Sequence, residues 1–142
     1  MRVLVTPINN PEETITKILK NFNIQLEGKK VFVKINAVDF RRGSYTSPKT
    51  IAAAIDSLYN LGADKVFVME NSTQGNFTRL VFKVTGIIDV IREKGAKAIY
   101  LDEEKSVRVK IGEYEVDFPK VVYNIINDDS SFYLQSLRRL RP

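Results

Sequence analysis

Short runs of β-branched and aromatic residues alternate with segments of helical periodicity along the chain, the pattern of a mostly parallel sheet with helices packed on it. Arg2 to Thr6 reads as a first strand. Asn10-Pro11-Glu12-Glu13 then combines a cap residue, proline at the first helical position and acids in the first turn, which together start a helix. Ile15, Ile18, Leu19 and Phe22 give that helix one apolar stripe. Val31 to Asn36 is a second strand, and a polar loop with Asp39, Arg41, Arg42, Gly43 and Ser44 follows it. Ser47-Pro48 opens a second helix, with its stripe at Ile51, Ile55, Leu58 and Tyr59 and Gly62 closing it. Lys65 to Glu70 is apolar between charged ends, as a buried parallel strand is.

After a loop from Asn71 to Asn76, the spacing predicts helices over Thr78 to Thr85 and Ile87 to Lys94, divided at Gly86. Ala96 to Leu101 is a fourth strand. Val107 to Ile111 and Tyr114 to Phe118 flank Gly112-Glu113 as a β-hairpin, and glycine at the first turn position suits type II′. The tail from Asn127 reads as a short helix through Phe132, Leu134, Leu137 and Leu140. The expected fold is therefore α/β: a three-layer, mostly parallel sheet flanked by helices, with a C-terminal antiparallel hairpin. No repeat, linker or low-complexity segment interrupts it, and a length of 142 residues fits a single domain over 1–142.

Composition narrows the chemistry sharply. The chain has no cysteine and no histidine. Disulfides, iron–sulfur clusters, thiolate zinc sites, cysteine nucleophiles, Ser-His-Asp triads and histidine-ligated metals are all excluded. No cofactor is expected on these grounds. The start, Met1-Arg2-Val3-Leu4-Val5-Thr6-Pro7, lacks the apolar region and cleavage site of a signal peptide. No apolar stretch nears the ~20 residues of a membrane span. The expectation is a cytoplasmic protein without membrane contact. A net charge of +5 suits an anionic ligand or plain solubility.

In open α/β sheets ligands gather outside the carboxyl ends of the strands. Those ends carry Asn36 with the loop to Ser47, and Glu70 with Asn71 and the loop beyond it. The first loop has the parts of an anion site: hydroxyls on Ser44, Thr46 and Ser47, charge on Arg41, Arg42 and Lys34, and a helix N-terminus. A solvated loop with an ordinary serine cap and two surface arginines accounts for the same residues and is preferred on sequence alone. Lys34, inside an apolar strand, calls for a partner, an edge position or a cavity. Glu70 is its natural partner, so a rim salt bridge and a functional lysine stand on equal footing. Asp39, Glu70, Asn36 and Asn71 are the oxygen donors that would hold Mg²⁺, but polar residues are what loops usually contain, and no metal site is expected. The tail Arg138-Arg139-Leu140-Arg141 is basic, yet no nucleic-acid module accompanies it, and nucleic-acid binding is not expected.

At these same residues the chain resembles a known family, domain of unknown function 362. The resemblance runs from about Gly28 to about Asn124. It rests on the strand ending Val33-Lys34-Ile35-Asn36, on Thr46-Ser47-Pro48, on Leu61-Gly62-Ala63 and on the strand ending in Glu70. Thr85-Gly86-Ile87, Gly95-Ala96 and Phe118-Pro119-Lys120 complete the set. With the segment before it, 1–124 is the family-like region and 125–142 an atypical basic tail.

The resemblance implies a widespread archaeal and bacterial family without a settled activity. Some of its members carry a ferredoxin-like segment, which a chain without cysteine does not hold. Lys34, Asn36, Thr46, Pro48 and Glu70 match the family pattern, whereas Ile35 stands where proline is usual. After Tyr123 the family's continuation gives way to Ile125-Ile126-Asn127-Asp128-Asp129, so the family's second half is expected to be missing. The function expected is binding of a small anionic ligand at the strand ends. The alternative is a non-catalytic interaction or homo-oligomerisation module.

Overall fold

The computed structural model describes residues 4, 6, 7, 9–72 and 77–135. Its elements are α1 (Pro11–Asn21), β1 (Lys30–Lys34), α2 (Pro48–Asn60), β2 (Lys65–Glu70), α3 (Thr78–Val84) and α4 (Ile87–Glu93), then β3 (Lys97–Tyr100), β4 (Ser106–Ile111), β5 (Tyr114–Pro119), α5 (Lys120–Ile126) and β6 (Ser131–Gln135). The helix starts form as their sequences dictate. Asn10 Oδ1 accepts the Glu12 amide at 3.1 Å, and Ser47 Oγ accepts the Thr50 amide at 3.2 Å. Each side chain satisfies a first-turn donor that the helix itself leaves open. Gly86, at φ +74°, turns the chain between α3 and α4 in a conformation that L side chains rarely adopt.

The sheet runs β3-β2-β1-β6 with every pair parallel. Period-two alternation divides it into two unequal faces. Val31, Val66 and Val68 turn to the face that carries α1, α2, α3 and α4, where they join Ile51, Ile55, Leu58, Phe82, Ile87 and Ile91 in the main core. Each large side chain fully buried there contributes roughly 1.5–3 kcal/mol. Phe32, Phe67, Met69 and Ile99 turn to the other face, where α5 supplies Val121, Val122 and Ile125. The rings of Phe32 and Phe67, in register on β1 and β2, stack 4.6 Å apart. Helices on both faces make this the three-layer arrangement expected, with the second helical layer reduced to one short helix.

β4 and β5 form the antiparallel hairpin. Gly112 takes φ +61°, while Asn23 is the only non-glycine at positive φ among the described residues, the combination a type II′ turn requires. The register sets Val107 against Phe118, Val109 against Val116 and Ile111 against Tyr114, so one side of the ribbon is wholly apolar. The other side pairs Arg108 with Asp117 and Lys110 with Glu115.

Two expectations change, and a third lies mostly outside the described residues: of the first strand only Leu4 and Thr6 are described, and neither is assigned to a strand. The tail is not helical at its start: Ser131–Gln135 is a strand parallel to β1, with Lys30 beside Ser131 and Lys34 beside Gln135. Phe132 and Leu134 follow the period of a strand and pack on the main core, which the apparent helical spacing to Leu137 and Leu140 obscures. Those two leucines lie outside the described residues. Finally, α5 occupies Lys120–Ile126, where no helix is expected. Its signal is present in Pro119 as the residue before the helix and in the apolar spacing of Val121, Val122 and Ile125.

The turn into β6 is tied by Asp128. Its Oδ1 accepts from the Ser130 amide at 2.9 Å and the Ser130 hydroxyl at 2.7 Å, and its Oδ2 from the Ser131 hydroxyl at 2.8 Å. These bonds, the Ser130 hydroxyl first, bring the Asp128 carboxyl down from 3.8 to about 2. A depressed carboxyl adds stability above its unfolded value that is lost as pH falls through the folded one. Unfolding in acid is therefore expected to draw part of its steepness from Asp128 between about pH 4 and pH 2. Asp128→Asn should flatten the stability profile in that window, measured by urea titration at a series of pH values; an unchanged slope would show that the turn does not form this way.

Candidate functional site

The carboxyl ends of β1 and β2 meet at one buried carboxylate. Glu70, 3% exposed at the last position of β2, accepts the Lys34 ammonium at 2.7 Å and the Asn71 amide at 2.8 Å on Oε1. Its Oε2 accepts the Ala37 amide at 3.2 Å. Charge inside a protein is tolerated when it is paired and hydrogen-bonded in this way. The Lys34 side chain keeps 29% exposure against 4% for that of Glu70, so the pair sits with its cation toward the surface. Register places Gln135 of β6 directly beside Lys34, and Tyr133 lies one pleat back on the same face. Burial, and then the charge of Glu70, raises the Tyr133 phenol above its ordinary value.

The loop after β1 is held closed by its own polar groups. The Asn36 carboxamide donates to Ser44 O at 2.8 Å, and the Asn36 amide to Thr46 Oγ1 at 3.2 Å. Thr46 N–H donates back to Asn36 O at 2.6 Å. The Ser44 hydroxyl donates to Asp39 O at 2.9 Å and Arg41 O at 2.6 Å. Arg41 forms an ion pair with Asp39, whose carboxylate also accepts the Phe40 and Arg41 amides. The Arg41 guanidinium, ahead of the opposing effect of burial, holds the Asp39 carboxyl below its usual value. At the start of α2, Pro48 has no amide hydrogen, and the Thr50 and Ile51 amides bond to Ser47. Lys49 is then the one residue of the first turn whose amide is unused among the described residues.

The sequence-derived candidates thus fall into two clusters. Lys34, Glu70 and Asn71 form one; Asn36, Arg41, Ser44, Thr46 and Ser47 form the other, and the Ala37 amide on Glu70 joins them. Arg42 is exposed at the loop tip. The Ser44 hydroxyl is used within the loop, Thr46 Oγ1 accepts the Asn36 amide and Ser47 Oγ caps α2; of the cations, Lys34 is partly exposed and Arg42 exposed. Among the described residues no group of three or more acidic side chains could hold a metal ion. A cavity of about 520 Å³ lies between α1, α2 and the sheet, reaching Thr46, Thr50 and Gln135 at one end. Its lining has no charged residue.

A further chain of bonds extends the site to α3. The Ser72 hydroxyl donates to Ala37 O at 2.6 Å, the Ser72 amide to Thr78 Oγ1 at 2.8 Å and the Thr78 amide to Asp102 Oδ2 at 3.0 Å. Ser72 and Thr78 are buried. In the sequence they look like any loop serine and helix-start threonine, and only their burial marks them. In the run Asp102-Glu103-Glu104-Lys105, Asp102 accepts the Thr78 amide at the start of α3, and Glu103 pairs with Arg79 at 2.6 Å.

These features define an α/β domain whose parallel sheet carries a hydrogen-bonded, charge-bearing patch at its carboxyl end. The sequence model of the family described as Domain of unknown function (DUF362) matches residues 31–127, more than half of the chain, which belongs to that family. The matched segment begins at β1 and ends just past α5. No curated protein and no solved structure matches the chain. No helix among the described residues is long and apolar enough to cross a membrane.

Proposed function

We propose that this domain binds a small anionic ligand at the carboxyl ends of β1, β2 and β6, with Lys34 as the principal cation and Arg42 as a second. The observation that carries this reading is the division of labour around Glu70. Its negative charge is shared among the Lys34 ammonium and two backbone amides, so Lys34 is fixed in place without being fully neutralised. A fixed, partly exposed cation at this end of a parallel sheet is where an anion would be received. An ion-paired ammonium is a binding group. Nucleophilic work is done by lysines desolvated in apolar pockets or set beside other cations, and this one is neither.

The test is thermal unfolding with phosphate, nucleotides, sugar phosphates and small carboxylates. A ligand at ~100 times its dissociation constant adds ~2.7 kcal/mol, a shift of several degrees at this chain length. Lys34→Ala should abolish the ligand-induced shift whatever it does to the starting melting temperature, and Arg42→Ala should reduce it from an unchanged starting point. A screen in which no anion moves the wild-type transition overturns the proposal.

A second reading, a non-catalytic interaction module, is favoured by the hairpin. Ile111 is 58% exposed and Tyr114 76%, on the ribbon side that the register makes wholly apolar. A two-stranded ribbon is marginal alone and ordinarily packs that side on something.

A further inference from the structure

Among the described residues β6 lies at the edge of its sheet and pairs with β1 alone. Edges of sheets are normally guarded against other chains by charge, proline, a bulge or a covering element. Ser131-Phe132-Tyr133-Leu134-Gln135 has no charge and no proline, and its register with β1 is unbroken. We infer that β6 pairs antiparallel with β6 of a second copy of this chain, about a two-fold axis at Tyr133, joining two sheets into one.

The occupant follows from reading the strand against itself. With Tyr133 opposite its own copy, Phe132 faces Leu134 of the second copy and Ser131 faces Gln135. Phe132 and Leu134 both belong to the main-core face, so this register continues apolar onto apolar in both protomers. A slip of one residue would set side chains of opposite faces against each other. No like charges meet across the seam, an important point for a chain carrying +5. The other strands at sheet edges lack this self-complementarity. β3 begins with an exposed Lys97, β4 carries Arg108 and Lys110, and β5 carries Glu115 and Asp117. Antiparallel self-pairing of β4 or β5 would bring charges of one sign together, which is destabilising. Tyr133, 37% exposed, would stack on its counterpart on the second face.

The experiment exploits the absence of cysteine. Residues directly opposite in antiparallel strands have Cα atoms about 4.5–5.5 Å apart, inside the range a disulfide spans. Tyr133→Cys should therefore cross-link to a covalent dimer under mild oxidation, well ahead of Tyr114→Cys at the exposed hairpin tip. By light scattering the wild-type protein should approach twice its 16.2 kDa mass at high concentration. Tyr133→Lys, which sets two ammonium groups face to face, should weaken association about tenfold or more. If that variant fails to fold, the cysteine pair decides alone. A wild-type chain that stays monomeric overturns the inference, and so does cross-linking at position 133 no faster than at 114. A dimer linked preferentially through position 114 would place the interface on the hairpin and overturn it equally.

Discussion

Glu70→Ala is expected to lower the unfolding free energy by about 3 kcal/mol, because removing one partner of a buried ion pair leaves the rest of the network unsatisfied. Three donors lose their acceptor at once: the Lys34 ammonium and the Ala37 and Asn71 amides. Ala37 is 0% exposed and has no recourse to water; Lys34 is partly exposed and recovers some hydration, which holds the figure near the low end for such pairs. At this chain length the melting temperature should fall by about 10 °C. Glu70→Gln keeps one acceptor but presents an amide to a donor, so it should recover only part of the loss. A fall of less than ~1 kcal/mol for Glu70→Ala, in urea unfolding followed by far-UV circular dichroism, would mean that the strand ends are not organised by this carboxylate.

Phe82→Ala should cost more, about 4 kcal/mol, the sum of lost burial and the cavity left behind. Phe82 is 0% exposed and heads the fully buried side chains by volume. Its ring meets that of Tyr100 edge-on, centroids 5.5 Å apart at 66°, and the Arg79 guanidinium lies 4.3 Å from the Tyr100 centroid. One short helix is thus docked on β3 by two contacts to a single tyrosine. Phe82→Leu, which keeps most of the volume, should cost well under half as much. The denaturant slope should stay constant across both variants. If Phe82→Ala costs no more than Phe82→Leu, α3 is not packed against β3 as described.

Much of the fold could be read from the chain because local signals and burial agree. Lys65–Glu70 is a strand between its charged ends, α1 and α2 begin at their cap residues, and Gly86 divides α3 from α4. The Lys34–Glu70 contact was legible for a similar reason: a cation within one apolar strand and an anion ending the next have few other ways to be satisfied. What escaped the sequence depended on distant partners. Ser131–Gln135 becomes a strand only because β1 has a free edge beside it, and five residues cannot show whether their period is that of a strand or a helix. Ser44, Thr46 and Ser47 have the composition of an anion loop. Ser44 closes the loop on itself, Thr46 accepts the Asn36 amide and Ser47 caps α2, and that depends on geometry at the level of single hydrogen bonds. Ser72 and Thr78 gain their roles from the interior position of Ala37 and the reach of Asp102, neither of which composition records.

The unequal faces of the sheet also set an order for synthesis. Nearly all of the main core lies between Leu19 and Ala96, in strand–helix–strand units whose contacts are close in sequence. A chain emerging from the ribosome can therefore bury its larger core before the hairpin and α5 have been made. β6 is different: its partner β1 lies about 100 residues earlier, Lys30 beside Ser131, and long-range pairing of this kind is slow. β6 should dock onto a core already formed, and until it does β1 lacks this partner. A nascent chain of this protein is exposed to mispairing in the interval between burying its main core and pairing β6 with β1.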